Sequence, residues 1–338
     1  MRIIICIFVG ILIGIALSFG VLKLSKDGIV GDTSNSLIQA NMSNWGFAVI
    51  YDDKLFFSDG STGIYYLNGS EQKVLFIEGS YSDMGLLDDI IYCVESCQTN
   101  DGSYAGNVIV AINIINGAKR IIYEPPSIDT QLIGDNVVDN KYFFSVDYDT
   151  LYSVNLEGEV ENTGIRYARK VTESGIYTTD TSTYGLKLLS FDGKILESYP
   201  KLSKYEVEVC FELGDNVYLR YTDEDLSKIY CMDKKMGKVS VFPNDESLFD
   251  KNIASYINYY KGNFYLSTSK VIDNAYEYNV YLIDSSGNNV RLICSERNEG
   301  GLPLPFCPIN IVDNYLVVTF PFTGIESQIM RLDNITSN

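Results

Sequence analysis

Histidine is missing altogether from the 338-residue chain. Its absence excludes Ser-His-Asp and Cys-His nucleophile activation and any zinc site that depends on imidazole. No G-x-S-x-G elbow, Walker A loop or paired C-x-x-C motif is present either, so the familiar hydrolase and kinase mechanisms lack their parts. Proline is scarce at eight residues and tryptophan occurs once, as Trp45. Positive charge is also short: 26 Lys+Arg stand against 44 Asp+Glu, a formal charge of −18. A polyanion of this kind excludes nucleic acid as a partner, because that binding neutralises phosphates with Lys and Arg.

What the chain does have is aromatic and apolar residues in short ribbons. With 46% apolar content, 26 Tyr and 16 Phe, it can bury a sizeable core, which argues against disorder. A polar turn followed by an aromatic strand recurs as YDDKLFFSD, LDDIIYCVE, VDNKYFFSV, TESGIYTTD, LGDNVYLRY, YKGNFYLST and VDNYLVVTF. The spacing, roughly 34–52 residues, brackets the length of a four-stranded propeller blade at about 40–50. A second ribbon follows each copy (GIYYLN, VIVAIN, TLYSVN, GLKLLSF, KIYCMD, VYLID, QIMRLD), and in six of the seven a third comes after a Gly- or Asn-containing turn. These are strands B, C and D of a blade, with strand A before each turn. The fold class expected is all-β, a seven-bladed β-propeller, with six or eight blades as alternatives. The seventh copy stops at Leu332-Asp333 without a D strand. Because an open edge invites aggregation, residues 36–41 (SLIQAN) are expected to close the last blade as its outer strand.

The strand pattern and the Asn-x-x-Asn-Trp-Gly of residues 41–46 resemble the bacterial propellers grouped as a domain of unknown function related to the YWTD β-propeller of the low-density-lipoprotein receptor. The resemblance spans roughly residues 40–333 and rests on pattern, since no intact Tyr-Trp-Thr-Asp occurs. It implies a propeller, usually tethered outside the cytoplasm of Gram-positive bacteria, and no reaction.

From Ile3 to Leu22 the chain runs without a charge, at about 1.5 Å per residue enough for a hydrocarbon core of roughly 30 Å. Residues 1–23 therefore read as a signal anchor, a single transmembrane helix with the propeller on the extracytoplasmic side of the cell membrane. Cleavage near Ala16-Leu17-Ser18 and secretion is the alternative. Residues 24–35 read as a polar linker and 36–338 as the propeller, expected to be monomeric. Of the remaining cysteines, Cys93 and Cys97 are the pair to consider for a disulfide.

Long connections fall in the B–C or D–A class, on one face of a propeller: SCQTNDGSYAGN, SKVIDNAYEYN, PNDESLFDKN and SERNEGGLPLPF. Binding residues concentrate on such loops, which nominates Asp101, Tyr104, Asp245, Glu246, Tyr276, Arg297 and Glu299. Arg166 and Arg169, with Lys170, form a basic cluster that could line the channel from an innermost strand. TDEDLS and TNDGS offer oxygen ligands without the spacing of an EF-hand loop, so no metal, cofactor or catalytic residue is assigned. The expectation is a binding or scaffold module for a protein, a peptide or a cell-wall glycan. The alternative is a carboxylate- or metal-dependent hydrolase or lyase, which needs no histidine and would show two inward carboxylates at the channel mouth.

Overall fold

The computed structural model describes residues 39–336 except 69–70, 100–102, 181, 184, 203–206, 222–227, 251, 274, 299–305 and 322–324. Strands follow one another as antiparallel neighbours from the axis outward. Blade one is β1 (Ala48–Tyr51), β2 (Lys54–Ser58), β3 (Gly63–Leu67) and β4 (Lys73–Glu78). Blade two is β5 (Ser80–Leu87), β6 (Ile90–Gln98), β7 (Tyr104–Asn113) and β8 (Lys119–Tyr123). Blade three is β9 (Leu132–Val138), β10 (Lys141–Val146), β11 (Thr150–Val154) and β12 (Val160–Arg166). Blade four is β13 (Ala168–Thr172), β14 (Gly175–Thr179), β15 (Leu186–Leu189) and β16 (Ile195–Tyr199). Blade five is β17 (Val207–Leu213), β18 (Asn216–Tyr221), β19 (Ile229–Asp233) and β20 (Lys238–Phe242). Blade six is β21 (Asn252–Tyr260), β22 (Asn263–Ile272), β23 (Ala275–Asp284) and β24 (Val290–Asn298). Blade seven has three described strands, β25 (Ile309–Val312), β26 (Tyr315–Val318) and β27 (Gln328–Arg331).

The seven blades form a closed ring because every pair of neighbours shares an apolar seam. Ile64 and Ile91 lie in the seam between blades one and two, Tyr92 and Phe144 between two and three, and Leu151 and Ile176 between three and four. Leu188 and Val217 join four to five, Phe211 and Phe264 five to six, and Tyr265 and Leu316 six to seven. Ala48, Leu55 and Phe57 against Val317 close seven onto one. Alternate residues of each strand point to opposite neighbours, which is why the ribbons are aromatic on both faces rather than on one.

All seven A–B turns have two residues: Asp52-Asp53, Asp88-Asp89, Asp139-Asn140, Glu173-Ser174, Gly214-Asp215, Lys261-Gly262 and Asp313-Asn314. In three of them both residues have positive φ, for example Asp139 at 50° and Asn140 at 57°. This is the twist-matched hairpin geometry that Asn, Asp and Gly tolerate best. The opposite face carries the longer connections, such as 243–251 between blades five and six.

Three expectations are corrected. Residues 39–41 are not an outer strand of blade seven; residues 39–43 form a helical turn bonded to inner strands, so β27 keeps no strand neighbour beyond β26 among the described residues. Residues 36–38 of that expectation lie outside the described residues. SKVIDNAYEYN is not a long loop either, since β22 and β23 pair from Asn263↔Asp284 through to Ile272↔Ala275. Cys93 and Cys97 do not form a disulfide. Both lie on β6, where a separation of four residues is about 13 Å, well past the reach of about 7 Å for a bridge. No described helix is long and apolar enough to cross a membrane; the apolar run 3–22 lies outside the described residues.

Candidate functional site

An inner strand pairs with only one neighbour, so its other edge presents bare N–H and C=O groups to the axis. Buried, those groups need partners. Residues 39–46, Gln-Ala-Asn-Met-Ser-Asn-Trp-Gly, supply them for blades five, six and seven. The Gln39 side chain accepts the Glu212 N–H at 3.0 Å. Asn41 donates to the Ile311 carbonyl at 2.6 Å and accepts the Ile311 N–H at 2.7 Å. The Ser43 hydroxyl donates to the Cys210 carbonyl at 2.6 Å. The Asn44 amide bridges the carbonyls of Ile257 and Ile309 at 3.0 and 2.8 Å.

The helical turn ends in a Schellman motif: the Gly46 N–H reaches back to the Asn41 carbonyl at 2.8 Å and the Trp45 N–H to the Met42 carbonyl at 3.1 Å. Trp45 is left-handed at φ 66°, the signature of this stop. Gly46 is required here, because a Cβ would come within 2.8 Å of the Met84 nitrogen and 2.9 Å of the Asp83 Cα. The segment thus rises from Glu212, beside the Gly214-Asp215 turn, to the long-loop half of the channel, and fills one side of it.

The other side, facing blades two to five, keeps a cavity of about 180 Å³ lined by Asp83, Asp135, Arg169, Lys170, Glu208 and Arg220, with Trp45 and Tyr148 at its wall. Three of the charged residues are there because of bulges. Strand β5 breaks register between Ser82 and Gly85, β9 carries Asp135 as an extra residue opposite Phe143/Phe144, and β13 carries Arg169 between Ala168 and Lys170. A bulge re-aims its side chain and interrupts the alternation that would send it into a neighbouring blade.

Most of these charges are tied. The Lys170 ammonium donates to the Asp135 carbonyl at 2.8 Å and lies 3.5 Å from its carboxylate, both side chains being buried. Burial pushes Asp135 up and Lys170 down, each opposed by the other's charge. Arg220 donates to the carbonyls of Ser255 and Ser43 at 2.8 and 3.2 Å, pairs with Glu208 at 2.5 Å and lies over the Tyr256 ring at 4.8 Å. Arg169 Nε donates to the Thr179 hydroxyl at 2.7 Å. Asp83 is different. It is 8% exposed, its carboxylate accepts the Ser82 hydroxyl at 3.2 Å and the Gly134 N–H, and burial pushes it up to about 7.

The residues nominated from loops do not gather in this way. Tyr104 is the first residue of β7 and is 54% exposed. Asp245 caps a short 3-10 helix (Glu246–Phe249) by accepting the Ser247 N–H at 3.1 Å, and Glu246 lies 3.9 Å from Lys228. Tyr276 and Arg297 are strand residues opposite Asn298 and Glu277, and Tyr276 stacks on Tyr278. Arg166 ends the outer strand β12 and grips Asp149 through Nε and Nη2 at 3.0 and 2.9 Å, away from the channel. Asp101 and Glu299 lie outside the described residues. Of the nominated residues that are described, Arg169 alone reaches the cavity, together with its neighbour Lys170.

Among the described residues no group of three His, Cys, Asp or Glu could hold a metal ion. No family model matches the chain, and no curated protein matches it, so the YWTD-type likeness stands at the level of the propeller. Solved structures of similar fold include oligogalacturonate lyase of Vibrio parahaemolyticus, 11% identical over 87% of this chain and 88% of that one, TM-score 0.45. The WD40 domain of SCAP from fission yeast is 10% identical over 79% of each chain, TM-score 0.36. The β-propeller domain of the Trilobed protease from Pyrococcus furiosus is 12% identical over 75% of this chain and 95% of that one, TM-score 0.33. These likenesses extend to the fold alone.

Proposed function

We propose that the protein is a membrane-tethered, extracytoplasmic binding module that holds a protein, peptide or cell-wall glycan at the long-loop mouth of its central channel. The observation that carries this reading is the cavity itself, where inner strands of four blades converge charged side chains on one concave space. The uncharged run Ile3–Leu22 supports the tether. The Gln39 side chain accepts the Glu212 N–H beside the Gly214-Asp215 turn, at the end of the channel away from the long loops.

Full-length protein carrying a photo-crosslinking residue at Tyr148, on the cavity wall, should capture a partner from native membranes. The same residue at Ile115, exposed in a C–D turn on the opposite face, should not. Equal capture from both positions, or capture from Ile115 alone, overturns the reading.

A hydrolase or lyase is the second reading, favoured by Asp83 and Asp135 on neighbouring inner strands with Asp83 held near neutrality, the condition of a general acid. Turnover of cell-wall glycan that is lost in Asp135→Asn would establish it.

A further inference from the structure

We infer that the cavity is a carbohydrate site, and that it takes an uncharged pyranose unit of a cell-wall glycan. The inference rests on the channel-mouth reading above and chooses among the partners that reading leaves open.

Three cations and three carboxylates line the space: Arg169, Lys170 and Arg220 against Asp83, Asp135 and Glu208. Their formal charges cancel. Two of the cations are also paired and fixed in place, Lys170 on Asp135 and Arg220 on Glu208, each fastened as well to a backbone carbonyl. A ligand with a net charge gains no net attraction in such a space and gives up its hydration to enter it. A hydroxyl suits both signs, because it donates to a carboxylate and accepts from a guanidinium or an ammonium. A neutral sugar ring presents several hydroxyls at fixed angles. The lining keeps capacity for them. Glu208 bonds Arg220 through Oε1, and its side chain is 31% exposed. Asp135 accepts the Val171 N–H at 3.1 Å through Oδ1, the same oxygen that faces Lys170. The second oxygen of each carboxylate has no hydrogen-bond partner among the described residues, and the buried Arg220 Nε has none either.

The C–H faces of a sugar need an apolar wall, and Met42, Ile133, Trp45 and Tyr148 line the same space. Trp45 and Tyr148 both have left-handed backbone, φ 66° and 56°, a conformation that bulky residues seldom adopt and that gathers where ligands bind. The helix stop accounts for Trp45. Packing does not account for Tyr148, which is 53% exposed in the turn between β10 and β11. An aromatic residue held there against its backbone preference is explained by what it offers to the cavity. The volume, about 180 Å³, equals about six waters at roughly 30 Å³ each. That is room for one ring, with the rest of the glycan left among the long loops.

Trp45, the chain's single tryptophan, gives a site-specific readout. Full-length protein in detergent is titrated at pH 8, above the value of about 7 for Asp83, following Trp45 emission and heat. The neutral probes are the methyl glycosides of glucose, galactose, mannose and N-acetylglucosamine, with Nα-acetyl-alanine methylamide as an uncharged peptide of similar size. The charged probes are the same glycosides with an aminomethyl or a carboxylate in place of the hydroxymethyl group. At least one neutral glycoside should shift the emission and bind at least tenfold more tightly than its two charged forms and the peptide. Glu208→Gln leaves one positive charge in excess and should raise the affinity of the carboxylate form, relative to the neutral one, about tenfold. Arg169→Gln should do the same for the aminomethyl form, each variant being shown folded by its thermal melt. A charged form that binds the parent as tightly as the neutral one, or a folded variant whose preference does not move, overturns the inference. Tighter binding of the peptide overturns the carbohydrate assignment. If no glycoside binds while crosslinks from Tyr148 still capture a partner, this inference falls and the channel-mouth reading stands.

Discussion

The side chain of Asn41 and the backbone of Ile311 exchange two hydrogen bonds, at 2.6 and 2.7 Å, across 270 positions of sequence. An amide side chain has the donor and acceptor of a peptide group, so Asn41 stands where a neighbouring strand would have stood. The same oxygen also accepts from Asn258 at 2.6 Å, tying blades six and seven to one residue.

Asn41→Ala should therefore leave the Ile311 N–H and carbonyl and the Asn258 amide without partners. Each buried orphan costs about 1–3 kcal/mol, so three of them make a loss of at least about 3 kcal/mol in urea-unfolding free energy the expected result. Lys141→Ala, which removes only an exposed ion pair with Glu161, should stay within about 0.5 kcal/mol.

Asp83 makes stability depend on pH. Its folded value near 7 lies above the ordinary 3.8, so between the two the folded state binds more protons than the unfolded chain, and stability falls as pH rises. Asp83 faces Asp135 and Lys170 electrostatically, with the Ser82 hydroxyl and Gly134 amide in contact, and its carbonyl accepts the Tyr142 hydroxyl. The contribution is full below pH about 4 and lost above about 7, on the order of 3–4 kcal/mol for a shift of about three units. Melts of Asp83→Asn across this range should lack that decline and exceed the parent at pH 8.

Thiol labelling follows burial. Cys93, Cys210 and Cys307 are buried and free, and burial pushes their thiols up, Cys210 to about 12. Native protein should leave these three unmodified by maleimide, and denatured protein should label all six described cysteines without prior reduction. A mass deficit of two protons in the unreduced chain would disprove the pairing-free state.

Two glycines separate backbone strain from crowding. Gly46 and Gly193 both have positive φ, but a Cβ at Gly193 meets nothing within 4 Å. Gly193→Ala should cost about 1 kcal/mol for the left-handed backbone alone. Gly46→Ala should cost clearly more, because the atoms it would strike are backbone of β5.

The ring was legible in the sequence because a propeller repeats its physics: Asp88-Asp89 or Asp139-Asn140 forces the hairpin, and the aromatics on either side fill seams on both faces. The ribbon QIMRLD is likewise found as the third described strand of blade seven. The use of residues 39–46 could not be read, since their partners are backbone groups of Cys210, Ile257 and Ile311, to which a local pattern is blind. Arg169 and Lys170 are legible as a basic cluster on an innermost strand, but the acids beside them are not. Strict alternation sends Asp135 sideways, and only a bulge turns it to the channel. A usable signal was present in SYSDMGLL and LIGDNVV, where one acid interrupts an otherwise buried inner strand. The loop residues Tyr276 and Arg297 were misplaced because blade six extends its hairpin where composition suggested a connection.

An axle made first and gripped last has consequences for how the wheel is assembled. Gln39 to Asn44 leave the ribosome before any blade exists, yet the groups that hold them belong to blades five, six and seven, 166 to 270 positions later. Such long-range contacts form slowly, and domains emerge from their N-terminus onward during synthesis. The early blades must therefore wait around a hub they cannot yet secure, and the C-terminal blade completes both the rim and the bearing in one step.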